Sequence, residues 1–169
     1  MDRNHSSPKK WEAKVSTKLE KATPNQIWPL FQDFFGLKKW FPGLATCDGI
    51  HGTNGEIGCI RYCAGFGLKG ENYCESNDES NVRWSKEKLV EMDSEEVRFS
   101  YEIVDSNIGF KSYVSTIKVV PDGGGCTVEW RISLEPVAGW KLEDLVVKYD
   151  VALQLMAKKM EDAIISQSY

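Results

Sequence analysis

The sequence predicts an α+β domain: a curved antiparallel sheet of six to seven strands wrapped around one long C-terminal helix, with two short helices after the first strand. Three observations predict it. In WEAKVSTKLE, residues 11–20, Trp11, Ala13, Val15, Thr17 and Leu19 alternate with charged and polar residues, as a half-buried strand requires. In CTVEWRISLEPV, Val128, Trp130, Ile132 and Leu134 oppose Thr127, Glu129, Arg131 and Ser133 in the same way. From Leu142 to about Ser166 the period becomes helical, and Leu142, Leu145, Val146, Tyr149, Ala152, Leu153, Met156, Met160, Ala163 and Ile164 share one stripe. Such a helix of roughly 25 residues extends about 37 Å, enough to cross the sheet. The space between a bent sheet and its helix is a natural ligand cavity.

Residues 1–10, MDRNHSSPKK, read as a disordered tail and residues 11–169 as one domain. After the first strand, Thr23 is an N-cap with Pro24 at the first helical position, and Ile27, Leu30, Phe31 and Phe34 follow at helical spacing. Pro29 is expected to distort that helix. LKKWFPGL adds one more turn, ended near Trp40 or Phe41 by Pro42 and Gly43. Thr46–Gly52 and Glu56–Cys63 read as a hairpin turned at Asn54-Gly55. The stretch AGFGLKGENYCESNDES is loop-rich, and WSKEKLVEMD, EEVRFSYEIVDS and FKSYVSTIKVVPD are strands. The glycine run Gly123–Gly125 turns the chain into the last strand.

Composition narrows the partners. The net charge is −4 and the 21 basic residues are scattered among 25 acidic ones, which gives no basic face for nucleic acid or an anionic membrane. No apolar run reaches the roughly 20 residues of a membrane span, and the polar opening lacks the apolar core of a secretory signal, so a cytoplasmic protein is expected. Five cysteines without a CxxC pair fit a reduced compartment. With only His5 and His51 available, neither a metal site nor a histidine relay is expected. No glycine-rich phosphate loop follows a strand, and no cofactor is implied.

The order of elements resembles the helix-grip, START-like superfamily of birch-pollen-allergen-like proteins, polyketide cyclase/dehydrase and lipid transport proteins, and plant abscisic-acid receptors. A closer likeness is to the plant lachrymatory factor synthase family. It is carried by W-x-x-K-V at Trp11–Val15, GCIRY at Gly58–Tyr62, KEKL at Lys86–Leu89, SYE at Ser100–Glu102 and the spacing of Tyr113 and Trp130, and it covers nearly the whole chain after residue 10. The resemblance implies that Arg61 and Glu87 project into a cavity as its catalytic pair. It also implies that Tyr101, Tyr113 and Trp130 line that cavity, and Phe110 and Tyr149 are assigned to the ligand-binding set with them. Arg83, where the synthase carries an aromatic residue, and Ala152, where it carries a tryptophan, imply a pocket of different shape and a substrate other than the synthase's sulfenic acid. AGFGLKG and SNIGF lack the gate and latch residues of the hormone receptors, which disfavours hormone sensing.

By strand alternation Arg61 shares a face with Cys59 and Cys63, and alternation alone does not say which face is inside. An unpaired cation inside would cost several kcal/mol, so an acid must lie close, and Glu87, on one face with Ser85 and Leu89, is the candidate. The pair can be structural. Read functionally, the forked donors of Arg61 hold a polar or anionic oxygen while Glu87 moves a proton. Aromatic residues on strands are more often plain core, and Trp40, Phe41 and Phe66 are either lids or seals of the sheet's end. A cysteine nucleophile among Cys59, Cys63 and Cys126 is disfavoured, because no histidine partners them.

Three classes of function follow: a binding protein for a small hydrophobic metabolite anchored by Arg61; a cofactor-free isomerase, cyclase or dehydratase using Glu87 as proton shuttle and Arg61 as electrophile; or an interaction module with a filled pocket. The sequence sets neither the ligand nor the oligomeric state.

Overall fold

The computed structural model describes residues 9–65 and 82–167 of the chain. The expected disordered tail up to residue 8, Phe66 and most of the loop-rich stretch after it lie outside the described residues. The elements run β1 (Trp11–Leu19), α1 (Pro24–Gln32), a 3₁₀ segment (Phe34–Lys39), β2 (Thr46–His51), β3 (Ile60–Ala64), β4 (Trp84–Asp93), β5 (Arg98–Ser106), β6 (Val114–Asp122), β7 (Gly125–Leu134) and α2 (Leu142–Ser166). Among the described residues they form one antiparallel, curved sheet in the order β1-β7-β6-β5-β4-β3-β2, with α2 across it. This is the helix-grip α+β architecture expected from the sequence. Among the described residues no helix is long and apolar enough to cross a membrane.

Alternation in β1 and β7 decides which side is the core. Val15 and Leu19 meet Val128, Trp130, Ile132 and Leu134 on the inner face, while Lys14 and Glu129 pair outside. The stripe of α2 closes on that face with Leu145, Ala152, Leu153, Met156, Met160 and Ile164 buried. Leu134 and Leu153 have no exposure at all, and burying each such side chain contributes about 1.5–3 kcal/mol. At the tight start of β7, a Cβ on Gly125 would stand 1.9 Å from the carbonyl oxygen of Leu19, so only glycine fits there.

Pro29 does not end α1. The helix runs through it, held at its start by a capping box in which Thr23 and Gln26 satisfy each other's backbone N–H groups, and the chain tightens into 3₁₀ geometry only after Asp33. The hairpin read around Asn54-Gly55 forms, with the Glu56 N–H donating to the Thr53 carbonyl across that turn, but its strands are shorter than read: β2 ends at His51 and β3 begins only at Ile60. Asn54 serves another purpose. Its Oδ1 accepts the Phe35 N–H at 2.9 Å and its Nδ2 donates to Asp33 at 2.7 Å, while Gly55, at φ +85°, lies against the carbonyl of Gln32. The Asn-Gly signal therefore docks the loop on the short helices. The strand read from Phe110 likewise pairs only from Val114, because Ser112 adopts φ +54° and breaks the ladder before Tyr113.

Candidate functional site

Antiparallel pairing sets Arg61 on β3 directly opposite Glu87 on β4. On its other side β4 changes register against β5 between Lys86 and Glu87, an irregularity that bends the strand and re-aims the side chain next to it. Both residues point inward, with 3% of Arg61 and 5% of Glu87 exposed, which decides the face that strand alternation left open. The Nε and Nη2 of Arg61 each lie 2.8 Å from Oε1 of Glu87, and Nη1 donates to the carbonyl oxygen of Phe34 at 2.7 Å. The guanidinium carbon is 3.8 Å from the ring centre of Phe34 and 4.8 Å from that of Tyr101. The second oxygen of Glu87 accepts the hydroxyl of Ser85 at 2.9 Å.

These contacts fix the electrostatics. Burial alone works against a cation at Arg61, but the Glu87 carboxylate beside it more than compensates and holds the guanidinium charged above its ordinary range. Glu87 is correspondingly an acceptor fully engaged on one side, with Arg61 and Ser85 as its donors.

A cavity of about 140 Å³ lies between the sheet, α2 and the 3₁₀ segment, roughly ten times the space one water needs by the same measure. Glu87 and Ser85 form its polar edge, and Tyr101, Phe110, Tyr113, Trp130, Tyr149 and Ala152 line its walls. Arg61 does not line it. Its guanidinium lies behind Glu87, at a hollow of about 20 Å³ shared with Trp40, whose indole N–H is buried without a partner. Phe41 lines both spaces.

The walls are themselves cross-linked. The indole N–H of Trp130 donates to the Ser115 hydroxyl, as does the Tyr113 hydroxyl at 3.3 Å, and Tyr113 also shares a hydrogen bond with Tyr149 on α2. Phe110 stacks on Tyr113 with ring centres 5.5 Å apart, and Trp130 meets Tyr149 edge-on at 4.7 Å. Burial pushes the hydroxyls of Tyr101, Tyr113 and Tyr149 well above the ordinary tyrosine range, so all three stay protonated donors. Toward solvent, the Arg83 guanidinium and the Lys148 amine stand 5.3 and 5.8 Å from the ring centre of Trp140, and all three line the cavity.

The structure thus brings Glu87 and the five aromatic residues singled out in the sequence to one cavity, with Arg61 immediately behind. Sequence reasoning missed Ser115, the hub of the hydroxyl network, and the Phe34 carbonyl that takes up Arg61. A serine on the inward parity of β6, between positions that are otherwise apolar, was the available signal for Ser115. Among the described residues no group of His, Cys, Asp and Glu is arranged to hold a metal ion.

Comparison with known proteins agrees with this architecture. Residues 10–161 match the family model described as polyketide cyclase / dehydrase and lipid transport. Among solved structures, ginseng major latex-like protein 151 from Panax ginseng superposes with a TM-score of 0.69 at 20% identity, covering 91% of this chain and 97% of that one. The protein XoxI from Bacillus cereus gives 0.67 at 19% identity over 94% and 98%. TTHA0849 from Thermus thermophilus gives 0.68 at 18% identity over 94% and 100%. At these identities the neighbours attest the fold, and bacteria contribute as well as plants.

Proposed function

Because the chain belongs to the polyketide cyclase / dehydrase and lipid transport family, we propose that its cavity binds a small, largely apolar molecule carrying one polar group, which Glu87 recognises while Arg61 anchors Glu87 from behind. The observation that carries this reading is a carboxylate, held by Arg61 and Ser85, on the edge of a hollow walled mainly by aromatic and aliphatic side chains, with the cations Arg83 and Lys148 beside Trp140. A group so placed accepts hydrogen bonds, and the polar group it favours is a donor such as a hydroxyl. Arg61 donates its Nε–H to Glu87 and its Nη1–H to Phe34, with Nη2 also against Glu87, so its part in recognition is to hold the acceptor aimed.

The test is displacement of the dye anilinonaphthalenesulfonate by matched pairs of compounds, an aromatic alcohol and its methyl ether. The alcohol is expected to bind the parent about ten-fold more tightly, the value of one charge-assisted hydrogen bond of roughly 1.4 kcal/mol. Glu87→Gln should remove most of that preference. Equal affinity of alcohol and ether for the parent protein would exclude Glu87 as the recognising group.

A second reading follows from the tyrosines. Tyr113 and Tyr149, kept protonated, share the cavity with a carboxylate, and this is the set a cofactor-free isomerase or cyclase needs. Glu87 would take a proton from the carbon beside a carbonyl, a tyrosine O–H would donate to the oxygen on which charge develops, and the proton would return at another carbon. Deuterium exchange at that carbon of a bound ketone, followed by NMR, tests it. Exchange should vanish in Glu87→Gln while dye binding is kept, and exchange that survives the substitution rules this chemistry out. Both readings take the protein to be cytoplasmic, which imaging of a fluorescent fusion checks.

A further inference from the structure

Cys47 on β2 and Cys63 on β3 are partners in the pairing register of two adjacent antiparallel strands, and their sulfurs stand 3.7 Å apart. Neither reading of the cavity uses them. Directly opposed residues in such a ladder have Cα atoms about 4.5–5.5 Å apart, within the range a disulfide spans, so side-chain rotation suffices to bring the sulfurs together.

We propose that Cys47 and Cys63 form a redox couple that hydrogen peroxide converts into a disulfide joining β2 to β3.

The two thiols are unequal in a way that orders the steps. Cys47 is only half-buried, whereas Cys63 has no exposure. The S–H of Cys63 donates to the sulfur of Cys47, and this contact, helped by the charge of Arg61, outweighs burial and lowers the Cys47 thiol to about 7. The same contact and burial push the Cys63 thiol up. Cys47 is therefore the thiolate that meets an oxidant, and Cys63 is the resolving thiol behind it. In the first step the Cys47 sulfur attacks the O–O bond, forming a sulfenic acid and releasing hydroxide, which is protonated to water. In the second the Cys63 sulfur attacks the Cys47 sulfur, and the Cys63 proton leaves with the sulfenic hydroxyl as a second water. Two thiols are oxidised to one disulfide while one peroxide is reduced to two waters.

The location gives the couple a consequence. The Cys63 sulfur lies 3.9 Å from Oε1 of Glu87, and the Cys47 S–H donates at 3.3 Å to the carbonyl of Phe35, the neighbour of the Phe34 that holds Arg61. Oxidation withdraws both S–H donors from the surroundings of the ion pair.

The full chain, reduced, desalted and treated with one equivalent of hydrogen peroxide, is alkylated under denaturing conditions, digested and examined by mass spectrometry. The expected product is a peptide pair joining Cys47 to Cys63, present in most chains and lost on treatment with dithiothreitol. This measurement needs no variant to fold. In Cys63→Ser, a sulfenic acid at Cys47 should be captured by dimedone, and in Cys47→Ser none should form at Cys63. The proposal is overturned if the parent protein leaves the two cysteines unlinked after peroxide, or if Cys47 is joined to a different cysteine.

Discussion

Replacing Glu87 by glutamine probes the ion pair at nearly constant shape. In the parent, one carboxylate oxygen accepts the Nε–H of Arg61 at 2.8 Å and lies equally close to Nη2, on a pair that is almost completely buried. Removing one partner of a buried pair costs about 3–5 kcal/mol, mainly because the other charge stays behind uncompensated. Three features place Glu87→Gln at the lower end: the amide keeps one carbonyl acceptor, Phe34 still accepts from Nη1, and the rings of Phe34 and Tyr101 still face the cation. The expected loss is about 3 kcal/mol. For a domain of this length, an unfolding entropy of about 2.1 cal/mol/K per residue turns that into a fall in Tm of about 9 °C. Urea unfolding followed by tryptophan fluorescence is the assay, with the m value required to stay constant so that the change reports stability alone. A loss below about 1 kcal/mol at unchanged m would show that the pair is hydrated, and the case for a dry polar centre would fail.

High pH should destabilise the fold through its buried tyrosines. Tyr101, Tyr113 and Tyr149 have raised folded-state values, so below an unfolded value of about 10 both states are protonated and the stabilisation is complete; above it the unfolded chain sheds protons that the native state keeps. Stability then falls by up to roughly 4 kcal/mol per pH unit for the three together, and a urea midpoint that does not move between about pH 9 and about pH 11 contradicts their burial. Ser115→Ala strips the acceptor from the Trp130 indole and a partner from Tyr113, which should cost about 1–3 kcal/mol in the same urea assay, with Ser115→Thr closer to the parent. Gly125→Ala forces a methyl group against the Leu19 carbonyl and should lower expression as soluble protein, whereas Gly124→Ala, with open space around it, should not.

What could be read from the sequence follows from where side-chain periodicity is the deciding force. The bounds of α2, Leu142–Ser166, coincide with the apolar stripe, and β1 and β7 coincide with their alternation, because each of these elements buries one face against a single large neighbour. The β2–β3 connection was not legible in that way. Asn54 and Gly55 make the tight turn their local chemistry implies, but tertiary contacts with Asp33, Phe35 and Gln32 also hold them, and the ladder closes only from Ile60, which residue type does not reveal. At the site, alternation grouped Arg61 with Cys59 and Cys63 but left their face open, since a run of cysteine, arginine, isoleucine and tyrosine is amphipathic in neither sense. The family likeness, not the pattern, pointed Arg61 inward. That Arg61 would stand behind Glu87 depended on the β4 register shift and the Phe34 carbonyl, neither of which leaves a trace in residue type.

Stability alone is a poor reason for the fold to keep this pair. Apolar residues of similar volume in place of a buried ion pair are commonly neutral or stabilising, while the charges still bear a desolvation cost. Arg61→Met combined with Glu87→Leu leaves no buried charge, and it should unfold within about 1 kcal/mol of the parent although Glu87→Gln alone loses about 3. If the pair exists for what the cavity recognises, the same double variant should bind anilinonaphthalenesulfonate yet treat an aromatic alcohol and its methyl ether alike. A double variant as unstable as the single one would instead assign Arg61 and Glu87 to holding β3, β4 and the 3₁₀ segment together, because Arg61 ties all three through Glu87 and the Phe34 carbonyl.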